Sequence, residues 1–494
     1  MKISLLYPLW TEEYVEISCF AKKAGRHPPL NLAYLAAIAE KKGHEVNIID
    51  GEAEDLSIEQ IVNQTKEFSP DLIGITGTTP FYHISVSLAK ELKKQIHEVP
   101  IAIGGPHVTV LKEEVFENCF DYAFIGEAEK SWEDFLDIYE KGQNISQVGG
   151  ILYIDKKEVK FTGPAEPIGD IDDLPIPSRH LLKPENYNIG TLQGTKRFTS
   201  IMTMRGCPFK CIFCSTKVFG KDTRRRSPEK VIQEIKECKE KYEIEHFMFL
   251  DDTLTLNRQH TLDICDLLIK ENLGITWEGS TRADLVDEKL IKKMAKSGLI
   301  RLSFGLESVD ENIRRIMKKN VSLESYIEAN RLTNKYGIEV LNSCMIGLPG
   351  ETEETIRKTL RFLRESKEIK QANISIAVPY PGTELYEMAK KEEYKLRLVT
   401  NDFSNFRRYN AAVMQVGDLS PQDLIDIQNE AFASIYIFTP WRWNSMIKKS
   451  GLQGAELTVK RLMKCIDKGN TRFLTNKQLG MKKNCDYKIE EVRR

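Results

Sequence analysis

The chain lacks most of the features that would place it in a specialised class. Ten cysteines in 494 residues are too sparse for a disulfide scaffold. Seven of them (Cys19, Cys119, Cys238, Cys265, Cys344, Cys465, Cys485) are scattered, as buried small hydrophobes would be. That usage fits a reducing, cytoplasmic setting. No apolar run approaches the roughly 18 residues needed to span a bilayer. The N-terminal MKISLLYPLW is too short for a secretory signal and reads as a first strand. Neither charge sign dominates: 71 Lys+Arg against 72 Asp+Glu give a formal net charge of -1, so no global basic excess points to nucleic acid. Internal repeats and low-complexity tracts are absent too, which excludes solenoids and arrays. What is present, 41% hydrophobic and 29% charged residues, is ordinary globular composition with chain enough for two or three domains.

Hydrophobic periodicity divides the chain. Over residues 1–155, short apolar runs (ISLLYP, EVNIID, LIGITG, IAIGG, DYAFIG) alternate with segments of helical period, among them LNLAYLAAIAEKK and stretches near 58–68, 84–96 and 130–140. This alternation predicts a doubly wound, Rossmann-like parallel sheet. Its strand ends carry Asp50-Gly51, Gly77-Thr78-Thr79, Gly104-Gly105-Pro106-His107 and Gly126-Glu127, which should line the crevice over the carboxyl edge. Residues 156–198, rich in Pro, Asp and Gly, read as a surface linker. Over 199–385 a second alternation supplies six strands (TSIMTM, HFMFLD, TWEGST, RLSFGLE, EVLNSCMIG, ISIAVP) with helices near 228–242, 260–271, 287–297, 323–336 and 353–366. Six βα units are too few for a closed eight-stranded barrel, so an open, partial (β/α)6 barrel is expected. Residues 386–494 read as a mostly helical region covering the active site, where Tyr436, Phe438, Trp441 and Trp443 form either an apolar lid or a core.

Chemistry concentrates in Arg205-Gly206-Cys207-Pro208-Phe209-Lys210-Cys211-Ile212-Phe213-Cys214. The spacing is C-x3-C-x2-C. Three thiolates on so tight a loop can each take one iron of a [4Fe–4S] cubane, leaving the fourth iron open, as a catalytic metal centre requires. Zinc would ask for a fourth Cys or His at short spacing, and an electron-transfer ferredoxin for a fourth cysteine. A dithiol redox pair would leave Cys207 without a role. The loop follows the first strand of the second alternation, at the carboxyl end where barrel active sites lie.

This loop, with Phe213 before the last cysteine, resembles that of the radical S-adenosylmethionine (SAM) superfamily. RGCPFKCIFC is similar to the branch with an N-terminal cobalamin-binding domain, which includes the anaerobic magnesium-protoporphyrin ester cyclase and cobalamin-dependent methylases. The resemblance covers about residues 1–385. It implies a radical SAM enzyme whose cofactors are a [4Fe–4S] cluster held by Cys207, Cys211 and Cys214, SAM, and cobalamin. Electron transfer to the bound sulfonium would then give a 5′-deoxyadenosyl radical. The implied partners are a small-molecule substrate and a reductant such as flavodoxin or ferredoxin.

The same resemblance implies SAM contacts from Phe213, Asp251, Asp252, Arg282, Glu307, Ser308 and Gly347. Asp251 and Asp252 suit an ammonium group, or form a plain turn. Arg282 either forks onto the SAM carboxylate or pairs with Asp284. Arg226-Ser227-Pro228-Glu229 is explained by helix capping alone, with Ser as cap and Pro at the first position. Cobalamin contacts are implied for Thr78, Thr79, Gly104, Gly105, His107, Thr109, Gly126 and Glu127. There Gly104 and Gly105 would admit the nucleotide tail, and His107 either meets the corrin or caps a turn. The D-x-H-x-x-G signature of a cobalt-ligating histidine is absent. Methylthiotransferases would need a second three-cysteine set in the N-terminal region, which holds only Cys19 and Cys119. Methyl transfer to an unactivated carbon is the expected reaction. Oxidative cyclisation is the alternative within the family, and a non-catalytic corrinoid or Fe–S carrier the alternative outside it.

Overall fold

The two alternations fold into two sheets that face each other across a cleft. The computed structural model describes residues 1–10, 25–189, 196–215 and 218–436. The side chain of Tyr436, with Phe438, Trp441 and Trp443, lies outside the described set.

The first sheet contains β1 (Lys2–Tyr7), β2 (Glu45–Asp50), β3 (Leu72–Thr76), β4 (Ile101–Gly104), β5 (Tyr122–Phe124), β6 (Ile151–Asp155) and β7 (Glu158–Phe161). Its order is β2-β1-β3-β4-β5-β6-β7. The first five are parallel, and β6 and β7 add an antiparallel hairpin. The central β3, LIGIT, is buried along its whole length, as a strand covered on both faces must be. Chain order reverses between β1 and β3, so a crevice opens over their carboxyl ends.

The second sheet contains β8 (Arg197–Ile201), β9 (Ile244–Phe249), β10 (Thr276–Thr281), β11 (Leu299–Glu307), β12 (Glu339–Ile346) and β13 (Ala372–Ile376). They pair in chain order, all parallel, forming the open partial barrel. Amphipathic helices return the chain between strands. Helix Pro228–Tyr242 buries Val231, Ile232, Ile235 and Cys238 at helical spacing. Ser227 makes no side-chain cap there. Its backbone N–H is held instead by both oxygens of Asp172, 3.0 Å away.

Three expectations change. β7 falls in the stretch read as linker. Its tight turn uses Lys156 and Lys157 at φ 50° and 71°, a left-handed pair usually signalled by Asn-Gly. The rest of that stretch is not a surface drape. Ile171, Arg179, Leu182, Tyr187 and Ile189 are buried in it, because Arg179 reaches Glu234 at 2.6 Å and Tyr187 donates to Asp50 at 2.9 Å. The C-terminal region is not helical throughout: Leu396–Leu398 pairs with Met414–Val416 as an antiparallel ribbon before helix Pro421–Tyr436. That helix packs on β13, where Gln428 donates to the Ile374 carbonyl at 2.9 Å. No described helix is long and apolar enough to cross a membrane.

Among the described residues, contacts on both flanks fasten the first sheet to the second body. At one end Arg205 runs into two glutamates of the first. At the other, Phe403 stacks edge-on against His107 at 4.9 Å, and Gly382 passes so near that an added Cβ would sit 2.5 Å from Val110.

Candidate functional site

The carboxyl ends of both sheets open on one cleft of about 430 Å³. Tyr7, Thr76, Thr78, Gly104, Gly105, Gly126 and Glu127 line the wall formed by the first sheet, and Ser200, Met202, Arg205, Phe219 and Leu250 the opposite wall.

The cysteine loop leaves β8 at this edge. Gly206 has φ +90°, and an added Cβ would overlap the Asp222 carbonyl, so glycine is demanded by both conformation and space. The Cys207 amide bonds to the Gly220 carbonyl at 3.3 Å, and its Sγ lies 3.6 Å from the Thr253 hydroxyl. All three thiols are free. Cys207 and Cys211 are half-buried and Cys214 is exposed. Burial raises the Cys211 thiol, while Lys319 and Arg282 pull it back down. Among the described residues no group of three or more His, Cys, Asp and Glu closes on a single ion. A cubane asks its thiolates to stand apart, one per iron, and three free thiols on one loop are the right donors for it.

The expected SAM residues divide. Asp251 is turned inward: it accepts from the Thr203 and Met204 amides at 2.7 and 3.0 Å and from the Thr203 hydroxyl at 2.5 Å. Burial raises its carboxyl to about 6 against those bonds. It fastens β8 to β9. Asp252 is exposed and accepts from the Gly206 amide at 3.0 Å, beside Cys207. Arg282 forks onto Asp284 at 3.0 and 2.8 Å and stacks 3.8 Å over Phe209, so it braces the cysteine loop from behind. Glu307 accepts from Lys319 at 2.7 Å, and Lys319 lies 5.9 Å from the ring of Phe213. Ser308 faces the helix Glu353–Glu365, with its hydroxyl 3.3 Å from that of Thr359. Gly347 donates to the buried Glu351 at 2.8 Å.

Among the expected cobalamin residues, Thr78, Gly104, Gly105, Gly126 and Glu127 line the cleft. An added Cβ at Gly104 or Gly126 would meet nothing within 4 Å, which leaves room there for a bulky group. Gly105 has a different reason: at φ +112° its Cβ would press on the Gly77 carbonyl at 2.5 Å. Thr109 bonds the Gly126 amide at 3.0 Å. Thr79 and His107 contact each other at 3.3 Å. His107 is wedged between Tyr82 and Phe403, and burial pushes its pKa down to about 4. It is a neutral ring packed between those two aromatics and is not among the residues lining the cleft.

Two residues were not singled out from sequence. Arg205 is 3% exposed and donates to Glu127 and, at 2.6 Å, to Glu129. Its guanidinium stands 4.9 Å from Phe219 and 5.6 Å from Tyr34. A charge in the apolar run TSIMTMR was the available signal, because a buried charge demands partners. Lys319 had no such signal.

Comparison with known proteins finds relatives of both bodies. Residues 201–363 match the model of the radical SAM superfamily, and residues 19–136 that of the B12 binding domain. An uncharacterized methyltransferase of Pyrococcus horikoshii is 35% identical over 415 residues, 83% of this chain and 88% of that protein. The anaerobic magnesium-protoporphyrin IX monomethyl ester cyclase of Rubrivivax gelatinosus is 29% identical over 441 residues, 86% and 76% of the two chains. Among solved structures, the radical SAM methyltransferase TsrM of Kitasatospora setae, with cobalamin and a [4Fe–4S] cluster bound, superposes with a TM-score of 0.68 at 15% identity over 88% of each chain.

Proposed function

The chain belongs to the radical SAM enzymes that carry a B12-binding domain, and from that membership we propose that it methylates an unactivated carbon of a small-molecule substrate. Its cofactors are a [4Fe–4S] cluster, SAM and cobalamin. The observation that carries the reading is the shared cleft: the cysteine loop leaves one wall, the glycine-rich strand ends form the other, and Arg205 ties them together two residues before Cys207.

In this reading Cys207, Cys211 and Cys214 hold the cluster. Thr78, Gly104 and Gly126, which line the cleft and at both glycines leave space free, would be among the residues that hold cobalamin. When bound, the cluster supplies the electron that breaks a C–S bond of SAM, and cobalamin supplies a methyl carrier. The protein's own part is position and exclusion of water. Asp251 locks β8 to β9, Arg282 stacks behind Phe209, and Met202, Phe219 and Leu250 present apolar surface to the cleft. Residues 1–161 would form the cobalamin-binding part, 197–385 the SAM part, and 386–494 a cover. A low-potential donor such as flavodoxin or ferredoxin would reduce the cluster in the cytoplasm.

The test is anaerobic loading with iron, sulfide and cobalamin, followed by dithionite and methyl-labelled SAM. The expected result is 5′-deoxyadenosine, S-adenosylhomocysteine and label on cobalamin, with no 5′-deoxyadenosine from Cys211→Ala. Release of neither product by the wild type refutes the proposal. Because of the 29% identity to the cyclase, oxidative cyclisation is the second reading; 5′-deoxyadenosine without S-adenosylhomocysteine would favour it.

A further inference from the structure

A second cavity, of about 690 Å³, shares no lining residue with the cleft described above. It opens where the first turns of helices Glu353–Glu365 and Pro421–Tyr436 meet the ends of the ribbon Leu396–Leu398/Met414–Val416. Its size suits a small organic ligand. Glu351 belongs to its wall and is 3% exposed. One carboxylate oxygen accepts from the Gly347 and Leu348 amides at 2.8 and 3.0 Å. Among the described residues nothing bonds the other oxygen. Gly347 and Leu348 are not part of the cavity wall, which puts the unbonded oxygen toward the cavity. A buried acceptor without a donor is costly, and a ligand can supply the donor.

The rim opposite is strained. Glu392, Tyr394 and Lys395 have φ of 56°, 54° and 55°, a region that residues with a Cβ enter at a cost and that strained functional segments often occupy. That turn holds the Tyr394 ring in the cavity wall at 52% exposure. Gly350 passes beside the ring, where an added Cβ would lie 3.8 Å from Tyr394 Cδ1. Charge selects the sign of the ligand. Five carboxylates and two cations line the cavity. Glu353 holds Arg357 at 2.7 Å, and the remaining acids, Asp418, Asp423 and Asp426 among them, outnumber Lys395. A carboxylate-rich wall with an exposed aromatic face is the chemistry that receives an organic ammonium.

We infer that this cavity binds an aliphatic polyamine, one ammonium bonded to Glu351 and another against the Tyr394 ring. The site is separate from the reaction proposed above, and its test reads binding alone. Spermidine is titrated calorimetrically into the anaerobically loaded full chain, in two buffers of different ionisation enthalpy. Burial raises the Glu351 carboxyl to about 8, so near neutral pH it must shed a proton to accept from an ammonium. Saturable binding with proton release is expected at pH 7. Glu351→Gln can keep the bonds to the Gly347 and Leu348 amides, yet should bind about tenfold more weakly and release no proton. Tyr394→Ala and Lys395→Glu change exposed side chains. The first should lose about threefold in affinity. The second removes a cation and adds an acid, and should gain about twofold. Should Glu351→Gln fail to fold, these two variants decide. The inference is overturned by no saturable binding, by binding without proton release, by wild-type affinity in Glu351→Gln, or by wild-type affinity in both exposed variants.

Discussion

Replacing Arg205 by Met tests the joint between the two bodies. The guanidinium is bonded to two carboxylates that are 5% and 10% exposed. Glu127 keeps Arg224, 2.7 Å away, but among the described residues Glu129 has no second cation within ion-pair distance. Breaking a buried pair from one side costs about 3–5 kcal/mol, most of it for the charge left unpaired. Contact with the Phe219 and Tyr34 rings adds ~1 kcal/mol. Together these give about 4–6 kcal/mol, and the lower end corresponds to roughly a thousandfold in an opening equilibrium. Hydrogen exchange read by mass spectrometry reports local opening directly. The amides of peptides spanning 126–130 and 204–207 should therefore exchange about a thousandfold faster in Arg205→Met, while β12 and β13 keep wild-type protection. Adding Glu129→Gln removes the unpaired charge and leaves Glu127 to Arg224, so it should restore a large part of the protection. Exchange in Arg205→Met within tenfold of wild type would refute the reasoning.

Two further predictions concern the barrel. Gly206→Ala must push Asp222 away or abandon φ +90°, so it should lose most of its iron after reconstitution while far-ultraviolet circular dichroism stays unchanged. Glu351 is 3% exposed, and burial raises its carboxyl to about 8 against two backbone hydrogen bonds. Between the unfolded carboxyl value and about 8 the folded chain binds the extra proton, so this group's contribution to stability falls as pH rises through that window. Glu351→Gln should flatten the slope of unfolding free energy against pH between about 5 and 8 relative to wild type. Parallel slopes for the two proteins would contradict the assignment.

The parts legible in the sequence were those written in periodicity and short spacing. Ile58–Phe68, Thr276–Thr281 and Pro228–Tyr242 have the bounds expected of them, because apolar runs and helical spacing are local quantities. The cysteine loop was legible for the same reason. The β6–β7 hairpin was not, since a lysine pair occupies the turn and carries no sign of left-handed backbone. Partner choice was the least accessible. Arg205 finds Glu127 and Glu129 across 78 and 76 positions, and no spacing rule relates residues brought together by two separate sheets. Asp251 and Arg282 were noticed for their charge, but charge alone does not say whether a side chain points to a ligand or to its own backbone. The fold turned Asp251 inward because the Thr203 and Met204 amides at the end of β8 needed an acceptor.

The paired fastenings, Arg205 on one flank and Phe403 with Gly382 on the other, constrain how a corrinoid gets in. Each holds one wall of the cleft against the other, so the rate at which a bulky ligand enters should depend on the parting of either flank. Protein made with the vitamin present should emerge filled, whereas protein closed without it should take it up slowly and surrender it just as reluctantly.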